Sequence, residues 1–407
     1  MAFFITAGSF HTAALNYIRK ENIYPMQENN TFMKTKPVFP LLVSMSVPMM
    51  LSMLIQSLYN IVDSIYVSRL GTDALTAVSL AYPLQNAIVS VAVGIGVGIS
   101  SAISIHLGAG NQEKADRAAT VGIGLTVFHC LLFILAGLIT YIVLCFSFGS
   151  LLQIAFEKIF QGIGQMKVTM YLLIAGCVIN IILDPILIFG LLGFPALGVA
   201  GAAIATVIGQ ISAFLLYIVV YLKKSYAINI RVKHLRFDRK IIWQIYSVGI
   251  PSSIMMLLPS VLISILNSIL AGFSEVYVAV LGVYFKLQTF IYMPANGIVQ
   301  GMRPIIGYNY GAGEKPRVRS AIRYSLICAA SLMLLGTLLS LLIPEQIFAL
   351  FDADAELMDA GVRALRIICL GFLVSSVGII YSGTFEALGN GRNSLTITLL
   401  RQYLITI

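Results

Sequence analysis

The sequence predicts an all-α integral membrane protein built from two homologous helical bundles. Of its 407 residues, 58% are hydrophobic and only 11% are charged, whereas soluble proteins carry about 25% charged residues. Apolar runs of roughly 20 to 30 residues recur along the chain, each long enough to cross a hydrocarbon core of about 30 Å. A pattern in the first part also returns 203 residues later with its register intact. Pro48 matches Pro251, Leu84-Gln85-x-x-Ile88 matches Leu287-Gln288-x-x-Ile291, and Gly94-Ile95-x-x-Gly98 matches Gly297-Ile298-x-x-Gly301. Gly108-Ala109-Gly110 matches Gly311-Ala312-Gly313, and residues 84–110 agree with their counterparts at 11 of 27 positions. Such a period is too long for a solenoid unit. It indicates two halves made from the same set of helices.

The charge pattern orders these helices. The net charge is +9, but the basic residues form no continuous face suited to nucleic acid. Lys223, Lys224, Arg231, Lys233, Arg236, Arg239 and Lys240 lie in one hydrophilic stretch, with smaller groups at Lys114/Arg117 and Arg317/Arg319/Arg323. Lys and Arg concentrate in cytoplasmic loops. Span 1 (38–67) therefore leaves the cytoplasm, 69–73 turns outside, span 2 (76–107) returns and 108–117 turns inside. Span 3 (119–147) leaves again. A hairpin of 168–191 and 197–222 delivers the basic loop 223–240 to the cytoplasm. The second half runs 242–272 out, 277–309 in, 319–343 out and 360–385 in, with a last segment from about 394. Four units follow: an N-terminal extension 1–36, an N-terminal lobe 37–222, a cytoplasmic linker 223–240 and a C-terminal lobe 241–407. Met33-Lys34-Thr35-Lys36-Pro37 reads as a natural beginning. All five cysteines lie in apolar runs and read as small buried hydrophobes.

Between spans 3 and 5 the offset changes. Phe160-Gln161-x-x-Gly164 corresponds to Phe385-Glu386-x-x-Gly389 at 225 residues, so the first half is 22 residues shorter here. The remaining Leu151–Gln161 would rise about 16 Å as a helix, carries Glu157 and Lys158, and cannot cross alone. The expectation is about ten spans, with the fourth incomplete and the last ones missing, from a protein with six spans per half. Both halves then enter from the same side, making the repeat parallel. A re-entrant 149–161, covered by protein, is the alternative.

Several motifs stand on these spans: Tyr59-Asn60-Ile61-Val62-Asp63, Gly108-Ala109-Gly110-Asn111, Asn180-Ile181-Ile182-Leu183-Asp184-Pro185, and Gly198-Val199-Ala200-Gly201-Ala202-Ala203 with Thr206 and Gln210. Together with Gly311-Ala312-Gly313 they resemble the multidrug and toxic compound extrusion (MATE) transporters from Pro37 onward. Those are cation-coupled antiporters with two six-helix lobes.

The physics selects the same residues. Asp63 and Asp184 are the only acids in the otherwise apolar spans of the first half. An ionisable group in the bilayer interior is costly and marks a functional site by default. Kept from water, such a carboxylate can hold a proton or exchange it for a hard cation bound through oxygens. Asn180 lies one helical turn before Asp184 on the same face, and Pro185 can free a backbone carbonyl beside the acid. The resemblance implies a cation site of Asp63, Asn180, Asp184 and Thr206, with Asp63 and Asp184 as metal ligands if Na⁺ is the coupling ion. In the second half the counterpart of Asp63 is Leu266, next to Asn267, which argues against a second acidic site. Glu386 and Arg303 are expected near the inner surface, Arg303 snorkelling toward it.

Met53, Tyr59, Tyr82, Gln85, Lys286, Gln288, Tyr292 and Met293 lie on spans expected to face a central cleft. Met and aromatic surfaces suit varied organic cations. The histidines (His11, His106, His129, His234) lack metal-ligand spacing, and no Gly-rich phosphate loop follows a strand. The implied protein is not an enzyme and needs no cofactor beyond a coupling ion. It is a monomer in the cytoplasmic membrane of a bacterium, with the lipid bilayer and small organic molecules as its partners. The implied activity is export of organic, chiefly cationic compounds in exchange for Na⁺ or H⁺. A lipid-linked oligosaccharide flippase of the same superfamily and a non-transporting remnant are the alternatives.

Overall fold

Thirteen helices, counted among the described residues, carry the architecture. They are α1 (Val38–Ser68), α2 (Thr72–Gly108), α3 (Gln112–Thr140), α4 (Phe148–Gly162), α5 (Met166–Phe189), α6 (Val199–Lys223), α7 (Arg239–Ala271), α8 (Glu275–Gly311), α9 (Lys315–Leu342), α10 (Pro344–Ala349), α11 (Ala355–Ile368), α12 (Leu370–Ala387) and α13 (Gly391–Leu399). A single turn, Phe32–Thr35, precedes α1. The computed structural model describes residues 31–140, 148–235, 238–349, 351 and 354–404, with side chains outside 72–84, 136–140, 232 and 403–404. Most of the expected extension 1–36 and the side chain of Tyr82 therefore lie outside the described residues.

Among the described residues, nine helices are long and apolar enough to cross a membrane: α1, the 85–108 part of α2, the 112–135 part of α3, α5 to α9, and α12. Each expected span contains one of these, with two differences. The short segment expected at 151–161 is a helix, α4, whose buried face packs against α2, α3 and α6. Its end at Gly162 corresponds to the end of α12 at Ala387, 225 residues on, and α12 packs comparably against α8 and α9. The expected span 360–385 is divided into α11 and α12 at Cys369. The break is a tightened turn in which Phe372 N bonds to Cys369 O at 3.0 Å, and Thr337 Oγ1 on α9 stands 3.0 Å from both this carbonyl and that of Met333.

The repeated glycines explain how the halves meet. A Cβ on Gly94 of α2 would lie 2.5 Å from Ser253 N of α7, and one on Gly297 of α8 would lie 2.9 Å from Met50 N of α1. Gly98 faces Ile245 O and Gly249 of α7, while Gly301 faces the backbone of Ser46 of α1. These pairs are related by the 203-residue repeat, so the two helix pairs cross as pseudo-symmetric copies. Backbones approach so closely only where no side chain intervenes. The Gly-Ala-Gly turns serve two needs. Gly108 and Gly311 press on Tyr308 O and Ile105 O of the opposite half, while Gly110 and Gly313 adopt φ of +70° and +75°. These left-handed residues close the helix ends, with Asn111 N bonded to His106 O at 2.9 Å and Glu314 N to Asn309 O at 2.8 Å.

All these contacts lie toward the end that carries the basic loops. Buried residues of α1 run from Leu41 to Ser52, with only Val67 beyond, and those of α7 from Ile241 to Ser252, with only Leu262 beyond. The halves therefore pack most tightly at the basic-loop end, with α2 and α7 still meeting farther along through Asn86 and Ser260 at 3.5 Å, and the expected cleft lies beyond that tight packing. The linker is pinned to the first half: Asp116 Oδ1 accepts from Asn229 N at 2.9 Å, Gln112 Nε2 donates to Ala227 O, and Arg117 lies 3.5 Å from Asp238. Asp238 also caps α7, accepting from Lys240 N and Ile241 N.

Gly98→Val should destabilise the fold by about 1–3 kcal/mol, because Ile245 O is backbone and cannot give way. Gly282→Ala, with open space around its Cβ, should be neutral. Thermal unfolding of the purified protein in detergent compares the two.

Candidate cation site and central cleft

Asp184 sits on α5 inside the first half, 0% exposed, directly before Pro185. Asn180, one turn earlier, is 3% exposed and donates from Nδ2 to Thr206 Oγ1 on α6 at 3.2 Å. The approach of α6 depends on small residues: a Cβ on Gly209 would lie 3.1 Å from both Asn180 Cβ and Gly176 O. From α1, Tyr59 Oη reaches Thr206 Oγ1 at 3.5 Å. Asp63 follows Tyr59 by one turn and lies within electrostatic reach of Asp184. The structure thus brings Asp63, Asn180, Asp184 and Thr206 together, and adds Tyr59, which the sequence placed with the cleft.

Four oxygens of this group have no hydrogen-bonding partner among the described residues: both carboxylate oxygens of Asp184, Asp63 Oδ1 and Asn180 Oδ1. Buried acceptors are otherwise nearly always satisfied. Two carboxylates, an amide oxygen and a hydroxyl are the hard donors that Na⁺ or a proton takes. The donor set fits such an ion.

The expected cleft residues divide. Met53, Tyr59, Gln288, Tyr292 and Met293 are half-buried and Gln85 is exposed. Tyr292 makes an edge contact with Phe372 of α12, and Gln288 Nε2 donates to Tyr284 Oη at 2.9 Å. Lys286 is exposed, its ammonium 5.5 Å from the centre of the Phe351 ring between α10 and α11, and so leans toward its own half.

Two polar clusters correct the sequence reading. Glu386, expected at the inner surface, is 4% exposed, pairs with Arg303 and accepts from Ser252 Oγ at 2.6 Å. It is buried because the end of α12 packs on α2, where Ser101 Oγ donates to its carbonyl at 2.8 Å. Arg303 turns inward to supply the counter-charge instead of snorkelling. Glu157 and Lys158, taken only as obstacles to crossing, are enclosed with Gln161 and Gln300. The repeat offered a signal for this cluster, since Gln161 and Met49 occupy the positions of Glu386 and Ser252.

A family model for MatE matches residues 48–141 and 251–407. The chain belongs to the MATE family of efflux transporters. This MATE protein is 26% identical to the multidrug export protein MepA of Staphylococcus saprophyticus, over 92% of the chain and 87% of that relative. It is equally similar to MepA of Staphylococcus aureus MSSA476. It superposes with a TM-score of 0.87 on a MATE crystal structure in a straight conformation, at 26% identity and covering 93% of this chain and 89% of that one. An outward-facing structure of a multidrug resistance MATE family transporter aligns with a TM-score of 0.85, at 26% identity over 93% and 88% of the two chains. This is a family of transporters and not of enzymes.

Because the Asp184 carboxylate is buried without a hydrogen-bonding partner among the described residues, its removal should cost no stability. Asp184→Leu should unfold level with the wild type or up to about 2 kcal/mol later in low-salt detergent, as apolar replacement of buried charge often does. A lowered unfolding temperature would show that the carboxylate holds the fold together.

Proposed function

We propose that this MATE transporter exports organic cations across the cytoplasmic membrane in exchange for Na⁺ or H⁺, acting as a monomer. The observation that carries this reading is the Asp184 carboxylate, fully buried, with neither oxygen partnered among the described residues and Asp63 within electrostatic reach. A group held so is of use only if its charge is met by an arriving ion. Met53, Gln85 and Met293 support a cleft that accommodates organic cargo by repacking and weak polar contact.

Exchange requires that the ion and the cargo prefer different states. Thr206 and Asn180 join α5 to α6, and Tyr59 reaches the same hydroxyl from α1. An ion drawn between Asp63 and Asp184 would pull α1 toward α5, altering the wall of the cleft from which cargo leaves. The ion shifts the equilibrium only by its difference in affinity for the two states.

In vesicles bearing an imposed gradient, ethidium export should fall to background in Asp184→Asn and in Asp63→Asn. Export at wild-type rates by either variant would remove that acid from coupling. The ion is identified separately. If Na⁺ binds here, raising it to about a hundred times its dissociation constant should stabilise the wild type by about 2.7 kcal/mol and leave Asp184→Asn unmoved. With H⁺ as the ion, Na⁺ leaves both proteins unchanged and export follows the pH gradient alone.

A further inference from the structure

Lys158 is 5% exposed and lies apart from the cation site. Its ammonium stands 3.1 Å from Glu157 Oε1, 3.0 Å from Gln161 Oε1 and 3.4 Å from Gln300 Oε1. An ammonium has three donors and no acceptor, and here each donor has a side-chain oxygen. The cage is itself braced. Gln161 Nε2 donates to Glu157 Oε1 at 2.8 Å and approaches Gln300 Oε1 at 3.3 Å and Met49 Sδ at 3.4 Å. Gln300 Nε2 donates to Met53 Sδ at 3.2 Å. Space for the lysine stem comes from Gly96 of α2, where a Cβ would lie 2.5 Å from Lys158 Cγ.

Two of the three oxygens belong to α4 of the first half, and the third belongs to α8 of the second. Gln300 stands between Gly297 and Gly301, at the level where the halves close beneath the cleft. When the halves part at this end, Gln300 must leave, and a buried ammonium loses an acceptor. Water entering the opened end replaces that acceptor, so the cage favours the shut state by the net contribution of a hydrogen bond to a charged group.

We propose that Glu157, Gln161 and Gln300 form an ammonium-binding site at the floor of the cleft, filled by the Lys158 side chain in this state, and that its bond across the halves holds the basic-loop end closed. The ligand class is a primary ammonium, because the oxygens are placed for three N–H donors. The site operates whichever ion drives transport.

The test uses the full chain in lipid nanodiscs, with its native cysteines replaced and spin labels at Lys114→Cys and Lys315→Cys, both exposed and on opposite halves. Distances between the labels report the ratio of closed to open basic-loop ends. A hydrogen bond to a charged group contributes about 1.5 kcal/mol or more, so Gln300→Leu should lower that ratio roughly tenfold. Lys158→Ala should lower it by less, because Gln300→Leu also removes the bonds to Gln161 and Met53 of the first half, and the double variant should lower it no further than Gln300→Leu. In Lys158→Ala, n-propylammonium, which replaces the deleted atoms, should restore closure saturably. Tetramethylammonium, without N–H donors, should not. A ratio for Gln300→Leu within twofold of the wild type overturns the proposal, as does a folded Lys158→Ala that ignores n-propylammonium. If Lys158→Ala does not fold, Lys158→Met, which keeps the stem without the ammonium, takes its place, and a ratio within twofold of the wild type overturns the proposal. None of these readings depends on export, so loss of the antiport reading would leave them intact.

Discussion

The structure depends on backbone meeting backbone. At the end that carries the basic loops, α1 against α8 and α2 against α7 come so close that a single Cβ would collide with main-chain atoms of the other half. In lipid, helix association gains nothing from hiding apolar side chains and relies on close packing. Glycine at each crossing is the means. Because the crossings come in pairs related by the repeat, the halves share one contact geometry twice over. The expected cleft lies beyond the level of these glycines.

Against this packing, the first half keeps a carboxylate that nothing among the described residues satisfies. A fold selected for stability alone would place an apolar residue at Asp184, among neighbours such as Leu187 and Ile188 that are themselves buried. Local rules are broken mainly where function demands it. The second half follows another course at its own buried acid. Glu386 is fully engaged by Arg303 and Ser252, which makes it a structural tie. The two lobes share a scaffold and have diverged in chemistry.

How much of this the sequence disclosed follows from which interactions are local. Asn180 and Asp184 sit one turn apart, so their common face could be read directly from spacing. The repeat glycines announced themselves by recurring in register, although their role in bringing the halves together needed the neighbours of each Cβ. Thr206 and Tyr59 were identified separately, yet their meeting at one hydroxyl depends on three helices crossing. Glu157 and Lys158 looked unsuited to a membrane, yet they pair with each other at 3.1 Å, and of the amides that complete the ammonium's hydrogen bonds Gln300 lies 142 residues away. The division of α11 from α12 was hidden for the same reason. The residue that reaches the Cys369 carbonyl at this turn, Thr337, belongs to another helix.

The anchored linker has a mechanical consequence. Ala227 and Asn229 are fastened to α3, and Asp238 at the start of α7 is held by Arg117. The described part of the connection is therefore anchored at Ala227 and Asn229 and again at Asp238, beside the first residue of α7. From there α7 extends for 33 residues, a lever of about 50 Å. A rotation of about 10° at such a pivot would sweep its far tip through about 9 Å. Small rearrangements around Arg117 and Asp238 would thus become large displacements at the mouth of the molecule.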